Sequence, residues 1–529
     1  MGLALILSVI STIPPLDSQF WTGKYLWAED GPVFANKAYA LGFYSLWETH
    51  AGYIHLYPRI IAYLASFFPL LYLPYIYLFA WYAIFFAMIF MIILMCREYK
   101  INLIVTICLV LLIPFQPAGN ESFFNLVNSQ WLCGVFLPLF VYFYQNKAVK
   151  KQVFGYVGLF IACFTGPFSA FLLPVMFLYA AFKKGLKNNP LLYLIVFLGG
   201  VTQSVLILTD ARVPLGFSHD VSAWGEAFNV FLLFGAKTAS EYSVVYLFWG
   251  LIVFSALLRL LHKNHSEKDK FCFFLMLYVL ITIFAALYSV KDNPALMLLM
   301  SSIGGGGSRY TFIPYTLMLV SAVIFTSEHK KIQCLIIMSI FLICAVHYNG
   351  QIRAKNLQFK SYALFSQYKD IIIPIHPQWD KFPGWHINTK HIKRDAGNRQ
   401  LKQYDYLMNS HTVINDTLSR KSFSKGALVL YANSPDSRLI FTRKIICPKA
   451  RAVGLEIKMN RNTADWMQIF WSRNLSFNHK HSTRRFYNDG EIVAQFAFPY
   501  DESGVYIRFD PMENNGKAII KNISIYCIP

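Results

Sequence analysis

The sequence predicts a polytopic α-helical membrane protein of about 11 transmembrane helices that carries a C-terminal extracytoplasmic β-sandwich of jelly-roll type. Three observations predict it. The chain is 56% hydrophobic and 17% aromatic with only 14% charged residues, whereas an average soluble domain carries roughly a quarter charged residues. Apolar runs of about 17 to 25 residues recur from Leu3 to Val346, each long enough to cross a bilayer as a helix. Beyond them the hydropathy collapses, and from Ala427 onward short alternating runs stand between Gly, Pro, Asn and Asp turns, the pattern of half-buried strands.

The expected spans lie near 3–16, 71–95, 101–115, 131–145, 152–165, 167–182, 191–209, 242–261, 271–289, 310–326 and 332–347. The first has no basic segment before it and no small-residue cleavage site before Asp17, so it reads as an uncleaved span. One set of linking loops is short and basic: Arg97/Lys100, Lys147/Lys150/Lys151, Lys183/Lys184/Lys187, Arg259/Lys263/Lys268/Lys270 and Lys330/Lys331. The alternate set is longer, aromatic and poor in Lys and Arg. The positive-inside bias therefore places the N-terminus in the cytoplasm and residues 348–529 outside it. This orientation divides the chain into a membrane domain over 1–347, with a first outward loop at 17–57, a linker and helical segment over 348–426, and a sandwich domain over 427–529.

The net charge is +20, and the tail shares in it. A basic exterior domain suits an anionic surface, although a solvated basic face gives the same balance. Nucleic acid is not an expected partner of a domain that faces away from it. Among the 9 cysteines there is no C-x-x-C and no Cys/His ligand spacing, so the sequence offers no metal site. The tail holds only Cys447 and Cys527, which are either a disulfide of an oxidising compartment or two buried thiols.

Candidate chemistry concentrates at the outward ends of the spans. Glu29 and Asp30 are adjacent in an aromatic frame of Trp21, Tyr25, Trp27 and Phe34, and Gly31-Pro32 follows. Gly-Pro is expected to end any local helix there. A carboxylate against aromatic walls at a membrane boundary is suited to proton abstraction, and a helix cap is the plainer role for the same pair. His50, His55 and Arg59 approach the second span from outside, and Asn120, Glu121, Asn125, Asn128 and Gln130 fill the next outward loop. Lys291 opens the loop that closes on Gly304–Gly307, Ser308, Arg309 and Tyr310. The planar fork of an arginine suits a phosphate, which points to Arg309, Arg59 and Lys291, while an interface cation that snorkels to water is the alternative. Ionisable groups are nearly absent from span centres, and no internal repeat is evident; both weigh against a transporter or flippase.

LWAEDGPVF (26–34), AGYIHLYPRIIA (51–62) and GGGGSRYTFIP (304–314) together resemble the serotype-converting O-antigen glucosyltransferases of Gram-negative bacteria. These belong to the multi-span, polyprenyl-phosphate-sugar-dependent glycosyltransferases of GT-C type. The resemblance implies transfer of glucose from a polyprenyl-phosphate donor to O-antigen or lipopolysaccharide repeats, at the periplasmic face of the bacterial inner membrane. It implies Asp30 as base with Glu29 as rival or partner, and Arg309, Arg59 and Lys291 for the donor phosphate. Tyr310, Glu121, Gln130, Trp27 and His55 become lining groups. A donor-synthesising glycosyltransferase and a flippase are then functional partners. Some members of the wider class use a divalent cation, for which no second acidic cluster stands out here. An O-antigen polymerase or ligase is the alternative enzyme.

The tail begins with a Pro-punctuated aromatic stretch, PIHPQWDKFPGW (374–385), and a polar segment around Asn398–Asn409 that is expected to be helical. Candidate strands follow at 427–432, 438–446, 452–459, 466–473, 491–498, 504–511 and 518–528. Trp466, Trp471, Tyr487 and Tyr500 are either a sugar-stacking surface or core.

Overall fold

The computed structural model describes residues 2–12, 25–116, 119–145, 153–183, 189–210, 266–290, 308–347, 355–378, 384–392, 401–405, 413–414, 420–424, 426–432 and 437–529. The chain divides into two compact units. The first comprises Met1–Asp17, Leu46–Ile61 and Tyr77–Arg353; the second comprises Ser18–Ser45, Ala62–Ile76 and Ala354–Pro529.

The first unit is helical. Helices occupy Gly2–Ile10, Leu103–Leu112, Ser129–Tyr144, Val153–Cys163, Phe168–Lys183, Pro190–Thr209, Glu267–Val290, Phe312–Phe325 and Lys330–His347, together with most of Leu73–Glu98. The expected span at 242–261 lies outside the described residues. Among the described residues three helices, Leu70–Glu98, Pro190–Thr209 and Glu267–Tyr288, are long and apolar enough to cross a membrane. Leu194, Leu198, Val201, Val205 and Leu208 of Pro190–Thr209 recur at helical spacing and are all exposed, Leu208 to 83%. Among the described residues no side chain covers that stripe.

Buried amides tie these apolar helices together, because a polar group away from water must find a partner. Asn189 caps Pro190–Thr209 by accepting from the Leu192 N–H at 3.3 Å. Its amide also donates to Tyr144 O at 3.0 Å and to the Tyr156 hydroxyl at 2.6 Å. Gln203 clamps the strand β2 (Tyr53–Ile54), which pairs antiparallel with β1 (Thr49–His50). The Gln203 amide donates to Ile54 O at 3.1 Å and accepts from Ile54 N at 3.0 Å. Gly134 lets Ser129–Tyr144 approach Ile313 and Phe168 where a Cβ would collide with both.

The second unit holds β3 (Ile372–Pro374), β4 (His386–Asn388), β5 (Lys402–Asp405), β6 (Val413–Ile414), β7 (Arg420–Ser424), β8 (Ala427–Ala432), β9 (Leu439–Phe441), β10 (Ala452–Arg461), β11 (Asp465–Ser472), β12 (Ser482–Tyr487), β13 (Gly490–Pro499), β14 (Tyr506–Asp510) and β15 (Gly516–Ile528). One antiparallel sheet runs β13-β10-β15-β8-β7 with β5 also on β15, and a second runs β12-β11-β14-β9-β6. Val453, Leu455 and Ile457 of the first and Met467, Ile469 and Trp471 of the second join one buried cluster. Cys447 and Cys527 close a disulfide, with Cα atoms 5.4 Å apart.

One local expectation differs from this outcome, and one open alternative is resolved by it. Lys402–Asp405, within the segment expected to be helical, is a strand, because β15 offers it backbone partners from Ser524 to Cys527. Pairing with a long neighbouring strand outweighs the weak helix preference of a short polar run. Trp471 and Tyr500 belong to the core cluster and Tyr487 packs against it, so neither Trp471 nor Tyr500 offers a stacking face.

The fully buried Arg461 serves as an internal tie. Its guanidinium donates to the backbone oxygens of Asn488 at 3.2 Å, Pro511 at 3.3 Å and Asp465 at 2.7 Å, and to that of Tyr487. Burial lowers its pKa to about 10, against the pull of Asp465 and Tyr487.

Candidate active site

In the first unit the short helix Gly119–Ser122 and the 3-10 turn Ser308–Thr311 bring Glu121 to Arg309. Arg309 Nη1 donates to Glu121 Oε1 at 2.6 Å, and the Arg309 backbone N–H donates to Oε2 at 3.4 Å. The side chains are 32% and 11% exposed, so the pair is only partly desolvated. Glu121 is itself held in place. Its carbonyl accepts from the amides of Asn125 at 2.9 Å and Asn128 at 2.7 Å, and Asn128 Oδ1 accepts from the Trp131 indole at 3.2 Å. Trp131 meets Tyr310 edge-on at 5.2 Å, and the Arg309 guanidinium lies 5.4 Å from the Tyr310 ring. Gln130 is buried beside Gly166, whose φ of +78° and lack of a Cβ leave room for the amide. The structure thus brings Arg309, Glu121 and Tyr310 together, and Gln130 adjoins Trp131 in sequence.

His55 and Arg59 form a second group in this unit, one helical turn apart. Their side chains are buried rather than poised at a surface. The His55 ring shares a hydrogen bond with His50 O at 3.2 Å and lies 4.6 Å from the Tyr53 ring. Burial, then His50 and Arg59, lower the His55 pKa to about 3 from 6.5. Burial likewise lowers Arg59 to about 10, opposed by Glu48. A histidine whose folded pKa is depressed contributes stability above its unfolded pKa, and that contribution is lost as the pH falls. The wild-type protein is therefore expected to lose thermal stability between about pH 6.5 and pH 3 more steeply than His55→Gln. Melting scans over that range, which give parallel curves if His55 contributes nothing, measure the difference. Lys291 and the glycine run at 304–307 lie outside the described residues.

Glu29 and Asp30 sit in the second unit. Ala28–Asp30 is a 3-10 turn, and a π-helical turn, Gly31–Ala35, continues from it into the α-helix Asn36–Leu41. Gly31-Pro32 therefore does not end the helical path. Pro32 occupies its first turn, where the missing N–H costs nothing. Asp30 is 1% exposed, and its Oδ2 accepts from the Trp27 backbone N–H at 3.2 Å. Glu29 beside it is half-buried.

What anchors this turn is the stretch around His376, to which the sequence alone assigns no role. The His376 N–H donates to Leu26 O at 3.0 Å, the Ala28 N–H donates back to His376 O, and Tyr25 stacks on the His376 ring at 5.2 Å. Asn36 Oδ1 accepts from the Asn388 N–H at 3.2 Å. A Cβ on Gly31 would lie 2.6 Å from Ile375 and 2.8 Å from Ile387, so this glycine is needed for close approach to the β3–β4 hairpin. The only signal of this in the sequence was the aromatic, Pro-punctuated character of 374–385.

Among the described residues no group of three or more His, Cys, Asp and Glu side chains is arranged to hold a metal ion.

No family model matches the chain, and no curated protein matches it. Similar solved structures include BiXyn10A CBM1 in apo form, at 11% identity and a TM-score of 0.20, covering 24% of this chain and 99% of that one. A family 29 carbohydrate binding module from Piromyces equi has 14% identity and a TM-score of 0.17, with 24% and 86% covered. The GH115 4-O-methyl-alpha-glucuronidase BtGH115A has 10% identity and a TM-score of 0.19, with 50% and 40% covered. At such scores no fold or function is transferred to this chain.

Proposed function

We propose that this protein is a GT-C-type glycosyltransferase that moves a hexosyl residue, glucose, from a polyprenyl phosphate to O-antigen repeats on the periplasmic face of the bacterial inner membrane. The observation that carries the reading is the Arg309–Glu121 pair, fixed at 2.6 Å where apolar helices begin. A donor with an isoprenoid tail and a phosphate head asks for a guanidinium at such a boundary. The exposed stripe from Leu194 to Leu208 supports lipid around the helices, and we read the expected spans, about 11 in all, as crossing it. We read the two sheets that share one core as the expected β-sandwich. The hydrogen bonds of Leu26 and Ala28 to His376 support placing the first outward loop and the tail on the same side of the membrane.

In this reading the acceptor hydroxyl gives its proton to the Asp30 carboxylate, with Glu29 beside it, as its oxygen attacks the anomeric carbon. The bond from that carbon to the phosphate oxygen breaks, and the polyprenyl phosphate leaves with the bonding electrons. Arg309 offsets the charge that grows on the phosphate, and Glu121 orients Arg309.

Mass analysis of surface polysaccharide from a host supplied with the lipid-phosphate-sugar donor tests the reading. Wild type adds one hexose per repeat; absence of that shift rejects transfer. Arg309→Ala is expected to lower the transfer rate by about 10²–10³-fold, as for the loss of one group that stabilises developing negative charge. Glu121→Gln keeps a hydrogen-bond acceptor and is expected to lose less, about tenfold, chiefly in kcat. Equal losses for the two would assign the charge role to the pair rather than to Arg309.

A further inference from the structure

A cavity of about 930 Å³ lies on the sheet face opposite the shared core, across β11, β12 and β14. Alternation along β11 builds it. Met467, Ile469 and Trp471 enter the core, so Trp466, Gln468 and Phe470 turn to the cavity. Register sets them in rows: Phe486 beside Trp466, then Arg484, Gln468 and Asp510, then Phe470 beside Arg508.

The floor is flat and largely preformed. Arg484 lies 4.3 Å from the Trp466 ring, and Arg508 lies 4.6 Å from the Phe470 ring. Arg508 makes a fork to Asp510 at 2.8 and 2.7 Å, and Arg484 reaches Glu513 at 3.5 Å. The Gln468 amide donates to Ser482 Oγ at 2.8 Å. One wall is fixed by Asp465, whose carboxylate accepts from the N–H groups of Glu513 at 2.8 Å and Asn514 at 2.6 Å.

Both guanidinium groups already hold carboxylates and Asp465 adds a third acid to the lining, so the cavity carries no excess of positive charge although the chain as a whole carries +20. An anionic polymer would gain little here and would have to displace Asp510 and Glu513. Arg484 and Arg508 lie over the buried rings of Trp466 and Phe470, so the cavity offers planar guanidinium–aromatic stacks beside amide and carboxylate groups, a match for a ligand with apolar ring faces and a rim of hydroxyls. We propose that this cavity binds a neutral glycan chain and holds the acceptor polysaccharide. Its role as acceptor site rests on the transferase reading above; its binding of neutral glycan does not.

The test uses the full chain in detergent and, as probe, the delipidated neutral O-polysaccharide of the expression host, with affinity read by calorimetry. Wild type is expected to bind it, and Gln468→Ala and Trp466→Ala to bind about tenfold or more weakly, as for truncation of a buried contact residue. Gln468→Ala removes no core side chain and carries the test if Trp466→Ala fails to fold. Sodium polyphosphate is the contrasting probe. No binding by wild type, unchanged binding by Gln468→Ala, or preference for polyphosphate overturns the proposal. Binding without hexose transfer would sink the transferase reading and leave the glycan site standing. Transfer without binding would do the reverse.

Discussion

Exchanging Asp30 for asparagine is expected to lower hexose transfer by about 10²–10⁴-fold, the usual contribution of a general base, with unchanged protein in the membrane. The geometry makes this substitution informative. Asp30 Oδ2 caps the Trp27 N–H at 3.2 Å, and asparagine retains an oxygen for that bond. Asp30→Asn therefore removes charge and basicity while keeping the cap. Asp30→Ala removes both, and loss of a cap costs about 1 kcal/mol. If Asp30 serves the fold alone, the asparagine variant transfers sugar normally and the alanine variant loses stability. If Asp30 is the base, both are inactive and only alanine destabilises. Glu29→Gln completes the set, because the half-buried neighbour takes over the assignment if its loss abolishes transfer and Asp30→Asn does not. Transfer by membranes of equal protein content is the measurement.

Legibility of the sequence depended on how local the determinants were. The described helices between 71 and 347 are legible because long apolar runs favour a helix, and Leu73–Glu98 and Pro190–Thr209 fall on expected spans. The seven expected tail strands all contain strand in the fold, since alternation and turn residues are local signals. Strand β12 escapes the pattern because STRRFY carries four polar or charged residues, of which Arg484 lines the cavity, and no apolar stripe. Leu56–Ala65 is not separable in sequence from the lead-in to the second expected span, because Tyr57, Pro58 and Arg59 interrupt its apolar pattern. At the candidate sites, Arg309 and Tyr310 stood out beside a glycine run. Their partner Glu121 is 188 residues away in sequence, and no spacing rule connects such positions. The burial of Arg59 and His55 was equally out of reach, since a single cation near a span end reads the same whether it faces water or protein. His376 shows the point most plainly. Its backbone anchors the acid turn although the helices of the first unit separate the two in sequence, and only the fold joins them.

Loss of Arg461 should have the largest effect on stability, and it should reach the glycan cavity through the backbone. The guanidinium donates to four backbone oxygens, on Asn488, Pro511, Asp465 and Tyr487. Removing it leaves those carbonyls buried without the donors they were folded around, which costs about 3–5 kcal/mol for such a buried network. Arg461→Met fills much of the volume and so isolates the lost hydrogen bonds from a cavity effect. Arg461→Lys offers three donors on a single nitrogen and cannot span the four carbonyls, so only partial rescue is expected. The consequences are directional. Asp465 O is one of the four acceptors, and the same residue's carboxylate fixes the Glu513 and Asn514 wall of the cavity. Arg461→Met should therefore raise the rate of limited proteolysis within 452–529 and weaken neutral glycan binding together, while Arg461→Lys falls between. Hydrogen exchange on β11 and β14 provides the local readout. Unchanged protection there in Arg461→Met would mean that the arginine is not what holds this end of the two sheets in register.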